Sequence, residues 1–394
     1  MVELPAKNGF SFTRFDEICK RFRLTHVVAY GLKAFEGEAI LPPEMHKEYE
    51  SHFWSAAVRN EFWMLGKELP FAVKTIREAG DINPMLLKGP VIAALNYDCP
   101  GLRLFGDLDL LVRLNQIQKA AEALLASGFE VPEGKKKQTE NAQTDTKTYP
   151  PLVRRSSTGQ SVTIDLHWRL SDRYDTDEDR LWKKSITHEF NGCPVLVPSP
   201  EHRLYHLSLH TAQHGFTPDV WNGSYLTMQC VQDMDAVIRS EGDNLDWDEL
   251  REMVSASNVG SHCHSYLKLG NVLFGTAVPD AFLEALEQDA SPPIVERDWP
   301  IMAKEFLFEQ ADDMKRLAFS VLLRSDFKRK VTLRYLYRRC FPPSASIARH
   351  YGIPETSLKR YYYCVHRLLR PRIIKKGIQL SFRLVQMVLR KMVS

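Results

Sequence analysis

Between Pro43 and Ala79 the apolar positions Phe53, Ala56, Ala57, Phe62, Leu65, Leu69 and Val73 recur at helical spacing and stop at Gly80, which predicts a long helical region. The pattern then shortens. Met85–Leu87, Leu108–Val112 and Val162–Trp168 are brief apolar or β-branched runs bounded by turn residues, and each reads as a strand. Gln116–Ser127 reads as a helix closed by Gly128, after which Phe129–Val131 opens a further strand. Past Pro198 and Pro200 the helical period returns in Glu201–His214, Asp246–Val254 and Tyr266–Phe274, the last stopped by Gly275. Residues 1 to about 42 are poorly periodic, with Phe10, Phe12, Phe15 and Phe22 as anchors. Near the end, Ile374, Ile378, Phe382, Val385, Leu389 and Met392 form one apolar stripe. The expected class is α+β, with a helical region over 1–80, a core with a small mixed sheet over 81–200, a mostly helical lobe over 201–300 and a helical C-terminal segment over 301–394.

Polar residues inside those apolar strands carry the candidate chemistry. Asp107 and Asp109 stand two apart beside Leu108, Leu110 and Leu111, so both carboxylates project from one face of a strand. Like charges this close repel unless a cation lies between them, and oxygen donors suit Mg²⁺ or Mn²⁺. Upstream, Leu87, Lys88, Gly89 and Pro90 read as a strand end, a tight glycine turn and the first turn of a helix. Backbone N–H groups at such a helix start receive phosphate, and Lys88 adds positive charge. A third aspartate, Asp165, sits in the strand Val162–Trp168 and is followed by His167 and Trp168.

The words Leu87–Gly89, Pro100–Arg103, Gly106–Val112 and Ile164–Trp168 together resemble the polymerase-β-like nucleotidyltransferase superfamily, and within it a bacterial family of uncharacterised nucleotidyltransferases. The resemblance runs over roughly residues 45 to 365. It implies a nucleotidyltransferase core in which Asp107, Asp109 and Asp165 bind Mg²⁺ or Mn²⁺ and carry catalysis. Lys88, Gly89, Arg103 and His167 would then line the site for an NTP donor. The superfamily commonly has Gly-Ser or Gly-Gly where this chain has Gly89 and Pro90, which removes one donor to the phosphates.

Charge divides the chain more sharply than the net value of +3 suggests. From Lys315 onward there are 20 Lys and Arg against 2 Asp and Glu, a balance of +18. The residues before it, with 32 against 47, balance at −15. An acidic body with a basic end implies either packing of one on the other or an anionic partner: RNA, a lipid surface or a charged polymer. Tyr361, Tyr362 and Tyr363 among those basic residues suit stacking on single-stranded RNA, and Lys375, Lys376, Arg383, Arg390 and Lys391 flank the apolar stripe as a bilayer-surface helix requires. Seven cysteines without a Cys-x-x-Cys pair indicate neither a disulfide framework nor a zinc ribbon. With no signal-like N-terminus and no apolar run of spanning length, the expected address is cytoplasmic, with peripheral membrane association through the basic end as a variant of it.

Two further features suggest other readings. His202, His206, His210 and His214 recur every four residues on one helix, a stripe that would serve a zinc hydrolase with help from Asp233 or Asp235, or would line the boundary between helical lobe and cleft. His262 and His264 flank Cys263 but do not share a helix face. Residues 133 to 148 are polar throughout and read as a loop whose Lys135, Lys136 and Lys137 can meet phosphates, or as a solvated hairpin tip. A non-catalytic scaffold on the same fold is the reading from a different class, favoured by the missing small residue after Gly89.

Overall fold

Helices open and close the described chain, and the strands fall between them. The structure, a computed structural model, describes residues 11–34, 41–133, 147–155, 159–172, 174–214 and 228–289. Helices α1 (Phe12–Arg21) and α2 (Thr25–Ala34) precede α3 (Pro43–Ala57), and Ser11 caps α1 by accepting from the Arg14 amide at 3.2 Å. The helical path continues through a π-helical segment, Val58–Glu68, into α4 (Leu69–Glu78). Pro70 accounts for the widened turns: it gives no N–H to the ladder and its ring crowds the carbonyl one turn back, while the Leu69 amide reaches five residues back to Met64. Gly66 suits this segment, because a β-carbon there would lie 2.9 Å from the Glu61 carbonyl oxygen.

Strand β1 (Met85–Leu87) runs straight into α5 (Lys88–Leu95), and a 3₁₀ turn at Pro100–Leu102 leads toward β2 (Leu108–Leu111). After α6 (Ile117–Ala126) come β3 (Leu152–Arg155), β4 (Ser161–His167), α7 (Glu178–Lys183), β5 (Ile186–Phe190) and β6 (Cys193–Val197). The six strands form one mixed sheet in the order β3-β4-β2-β1-β6-β5. Strand β2 is antiparallel to β1 and parallel to β4, and β1 is parallel to β6. Asn191 and Gly192, both at positive φ, make the tight turn joining β5 to β6. The strand expected at Phe129–Val131 is reduced to one bridge between Glu130 and Val153, since Pro132 follows at once and gives the ladder no donor.

Alternation along the strands sorts the two faces. Leu86, Leu108, Leu110, Ile164 and Leu166 pack with α4 and α6 residues such as Ile76, Ala120 and Leu124. Met85, Leu87 and Leu111 face the other way, toward a core built from α8 (Pro200–His214), α9 (Met228–Glu241), α10 (Trp247–Ala256), α11 (Gly260–Phe274) and α12 (Asp280–Asp289). Asp109, Asp165 and His167 share the parity of this second set and therefore point to the helical side of the sheet. The α+β class expected from the sequence is the observed one. The C-terminal segment from residue 301 and Lys135, Lys136 and Lys137 lie outside the described residues.

Candidate active site

The parallel register of β2 and β4 sets Asp109 directly opposite Asp165, and Leu111 opposite His167. Among the described residues, Asp109, Asp165 and His167 are the one group of three metal-capable side chains whose ligand atoms all lie within 4.8 Å of one another. Asp109 is 2% exposed and His167 1% exposed, so neither carboxylate nor ring is a solvated surface group. His167 Nε2 lies 2.8 Å from Asp109 Oδ1, and the Lys88 ammonium forms an ion pair with that same oxygen. Its Nδ1 is buried without a hydrogen-bond partner, so Nε2–H is the donor to the carboxylate in the neutral ring.

Lys88 reaches the cluster because it occupies the left-handed backbone region, at φ 55°, where the chain turns from β1 into α5. The sequence suggests that Gly89 makes this turn; the structure gives the positive φ to Lys88 and uses Gly89 for space. A β-carbon at residue 89 would stand 2.4 Å from Arg103 Nη1 and 2.9 Å from its Cζ. The N-cap residue of α5, Leu87, gives its first turn no side-chain cap.

Charges in this group pull their pKa values apart. Burial opposes ionisation of Asp109, but Lys88 and the bond from His167 outweigh it and hold the carboxyl well below the usual range. At Asp165 burial, and then the charges of Asp109 and Asp107, outweigh those of Lys88 and Lys147 and push it up to about 6. Burial, reinforced by Lys88, lowers His167 to about 4 and keeps the ring neutral. Asp107 precedes β2, half-buried, and is raised by burial and by Asp109. It stands outside the three-ligand group, though its charge acts on both Lys88 and Asp165.

Arg103 is committed elsewhere. Its Nη2 lies 2.7 Å and its Nε 3.1 and 3.2 Å from the carboxylate of Asp233, which is fully buried on α9 and also accepts from the Tyr97 hydroxyl at 3.0 Å. The guanidinium thus ties the approach to β2 onto α9.

Several residues near the cluster carry no motif. Arg59 donates to the carbonyls of Phe105 and Gly106, the two residues before Asp107, and Asn60 Nδ2 donates to Pro100 and Arg103 oxygens at 2.9 Å each. Together they hold the segment that delivers the acidic strand. Lys147 donates to Gln213 Oε1 at 2.9 Å, and its charge bears on Asp165, His167 and His206. The histidine stripe divides. His206 is buried near Lys88, Lys147 and His167, while His202 Nδ1 meets the Ser199 hydroxyl at 2.9 Å. Among the described residues His202, His206 and His210 bring no three-ligand set together, Asp233 is taken by Arg103, and Asp235 meets Arg239 and Thr276; the His214 side chain lies outside the description.

Comparison with known proteins bears on this geometry. The chain belongs to the family of uncharacterised nucleotidyltransferases, whose model matches residues 8–275. Among solved structures it is similar to an antigenic nucleotidyltransferase-like protein from Paracoccidioides brasiliensis, at 19% identity over 44% of this chain and 75% of that one, with a TM-score of 0.31. No curated protein matches the sequence. Among the described residues no helix is long and apolar enough to cross a membrane.

Proposed function

We propose that the protein transfers a nucleoside monophosphate from an NTP to an acceptor hydroxyl, releasing pyrophosphate, with Mg²⁺ or Mn²⁺ as cofactor. The observation that carries this reading is the facing pair of a buried Asp109 and a half-buried Asp165, with His167 bonded to Asp109 and the ammonium of Lys88, from the strand-to-helix turn, paired with the same carboxylate.

The donor set fits a divalent cation: two carboxylates and one imidazole converge, and Asp107 stands two residues from Asp109 on the same parity. In this reading Asp107, Asp109 and Asp165 hold the metal ions and His167 orients Asp109. Bound divalent cations neutralise phosphate charge and polarise the phosphoryl oxygens during an in-line displacement. The uncapped first turn of α5, at Gly89, and the Lys88 ammonium receive the triphosphate. Asp165, facing Asp109 across the paired strands, takes the proton as the acceptor oxygen bonds to the α-phosphorus. The bond from the α-phosphorus to the bridging oxygen breaks, and pyrophosphate leaves with its electron pair. Arg103 fixes the loop before β2 through its pair with Asp233.

The acceptor remains defined only by its hydroxyl. The +18 balance after Lys315 favours anionic acceptors or partners, RNA before a lipid surface because the three adjacent tyrosines suit base stacking. Incubation with each α-labelled NTP, Mn²⁺ and total RNA checks this directly. Label on RNA from wild type and none from Asp109→Asn is expected; equal labelling by both excludes the mechanism. A scaffold protein predicts no metal-dependent NTP binding at all.

A further inference from the structure

Lys88 is placed at some conformational cost. Lysine has no preference for the left-handed region, where its β-carbon crowds the following carbonyl, yet Lys88 holds φ 55° there. The result is an ammonium seated inside the acidic cluster. It pairs with Asp109 Oδ1, lies 3.4 Å from His167 Nε2, and its charge also acts on Asp107 and Asp165. Asp109 Oδ1 accepts from both Lys88 and His167, so a carboxylate of the three-residue group is already paired with a cation of the chain's own.

A divalent ion at those donors and the ammonium at Asp109 compete, because both draw on the same carboxylate and two cations this close repel. The ammonium therefore needs another anion when metal enters. The nearest place for one is the uncapped first turn of α5, which begins at Lys88 itself.

We infer that Lys88 is the resident counter-ion of the cluster: a free divalent ion must displace it, the triphosphate receives it, and metal and nucleotide consequently load together. This rests on the transferase reading above and adds the order of binding and a second role for Lys88. Free metal alone binds weakly, and the metal–nucleotide complex binds well, because only the latter supplies both the entering cation and the anion that accepts the displaced ammonium.

The test uses full-length wild type, Lys88→Met and Lys88→Arg, with Mn²⁺ binding followed by electron paramagnetic resonance and binding of Mn²⁺ complexes of α,β-methylene nucleoside triphosphates followed by calorimetry. Lys88→Met is expected to bind free Mn²⁺ at least tenfold more tightly than wild type, and the Mn²⁺–nucleotide complex at least tenfold more weakly. Lys88→Arg, which keeps the charge, is expected to bind free Mn²⁺ as weakly as wild type. If Lys88→Met does not fold, Lys88→Gln, neutral but polar, carries the same expectation. Wild type that binds the complex while the neutral variants show unchanged free Mn²⁺ affinity overturns the inference and leaves the transferase reading standing. Absence of Mn²⁺ binding in every protein, with or without nucleotide, overturns both.

Discussion

Arg103 and Asp233 form a buried, two-pronged ion pair that joins the segment before β2 to helix α9, with Nη2 2.7 Å from Oδ2. Their side chains are 14% and 0% exposed, so the pair lies within the protein's interior. A buried pair of this kind is costly to break from one side only, because the surviving charge is left without a partner. Asp233→Ala should therefore cost about 3–5 kcal/mol. Urea unfolding checks this, and a loss below about 1 kcal/mol would show that the pair is solvated.

Gly89 depends on the same pair. A methyl group there meets Arg103 Nη1 at 2.4 Å and Phe105 Cβ at 3.0 Å, so Gly89→Ala must push the guanidinium off Asp233 or shift the backbone. The expected loss is about 1–3 kcal/mol. In a double-mutant cycle with Asp233→Ala the two losses should fall short of additivity, since the second change finds the contact already broken.

Acid should unfold the protein partly through His26. Burial lowers its pKa from the ordinary 6.5 to about 4, against a bond at 3.0 Å to the Leu102 carbonyl. The folded-state value is the depressed one, so between these pH values the unfolded chain binds a proton that the folded chain does not. Stability is then fully present above pH 6.5 and falls toward pH 4, by roughly 3 kcal/mol for this group. His26→Gln, which can still donate to the carbonyl, should flatten that limb in melting curves taken from pH 7 to pH 4. An unchanged slope would remove His26 from the account.

Metal affinity should also depend on pH, through Asp165. With its carboxyl raised to about 6 in the metal-free protein, a proton competes with the cation below that value. Mn²⁺–nucleotide affinity is expected to be flat above pH 7 and to fall by up to about tenfold per unit below pH 6. Calorimetry across that range reads it out, and the same fall in Asp165→Asn would assign it to another group.

Much of this arrangement was legible in the sequence because strands have a period of two. Asp107, Asp109, Asp165 and His167 interrupt runs of buried Leu, Ile and Val, and only the odd-numbered face carries them, so their convergence on one side of the sheet follows once β2 and β4 pair in register. The glycine-and-proline start of α5 was legible for the same local reason. What the sequence withholds is long-range. Nothing in Arg103 distinguishes a phosphate ligand from the partner of Asp233, 130 residues away, because a guanidinium suits both. Arg59 and Asn60 look like polar positions on an ordinary helix, and their role depends on which loop packs beside them. Lys88 reads as a phosphate-binding lysine; only the fold shows its ammonium already spent on Asp109. Lys147 stands at the end of a polar stretch whose lysines look alike, and its proximity to Asp165 comes from the bridge between Thr148 and His167.

The proposed transfer requires that the paired aspartates hold metal for an NTP. Calorimetric titration of ATP, GTP, CTP and UTP into wild type and into Asp107→Asn/Asp109→Asn, each with and without Mg²⁺, decides this. At least one nucleotide is expected to bind wild type only with Mg²⁺, and the double variant, folded by its melting curve, to lose this binding. Equal binding by both proteins, or none to wild type under either condition, would rule the proposed transfer out.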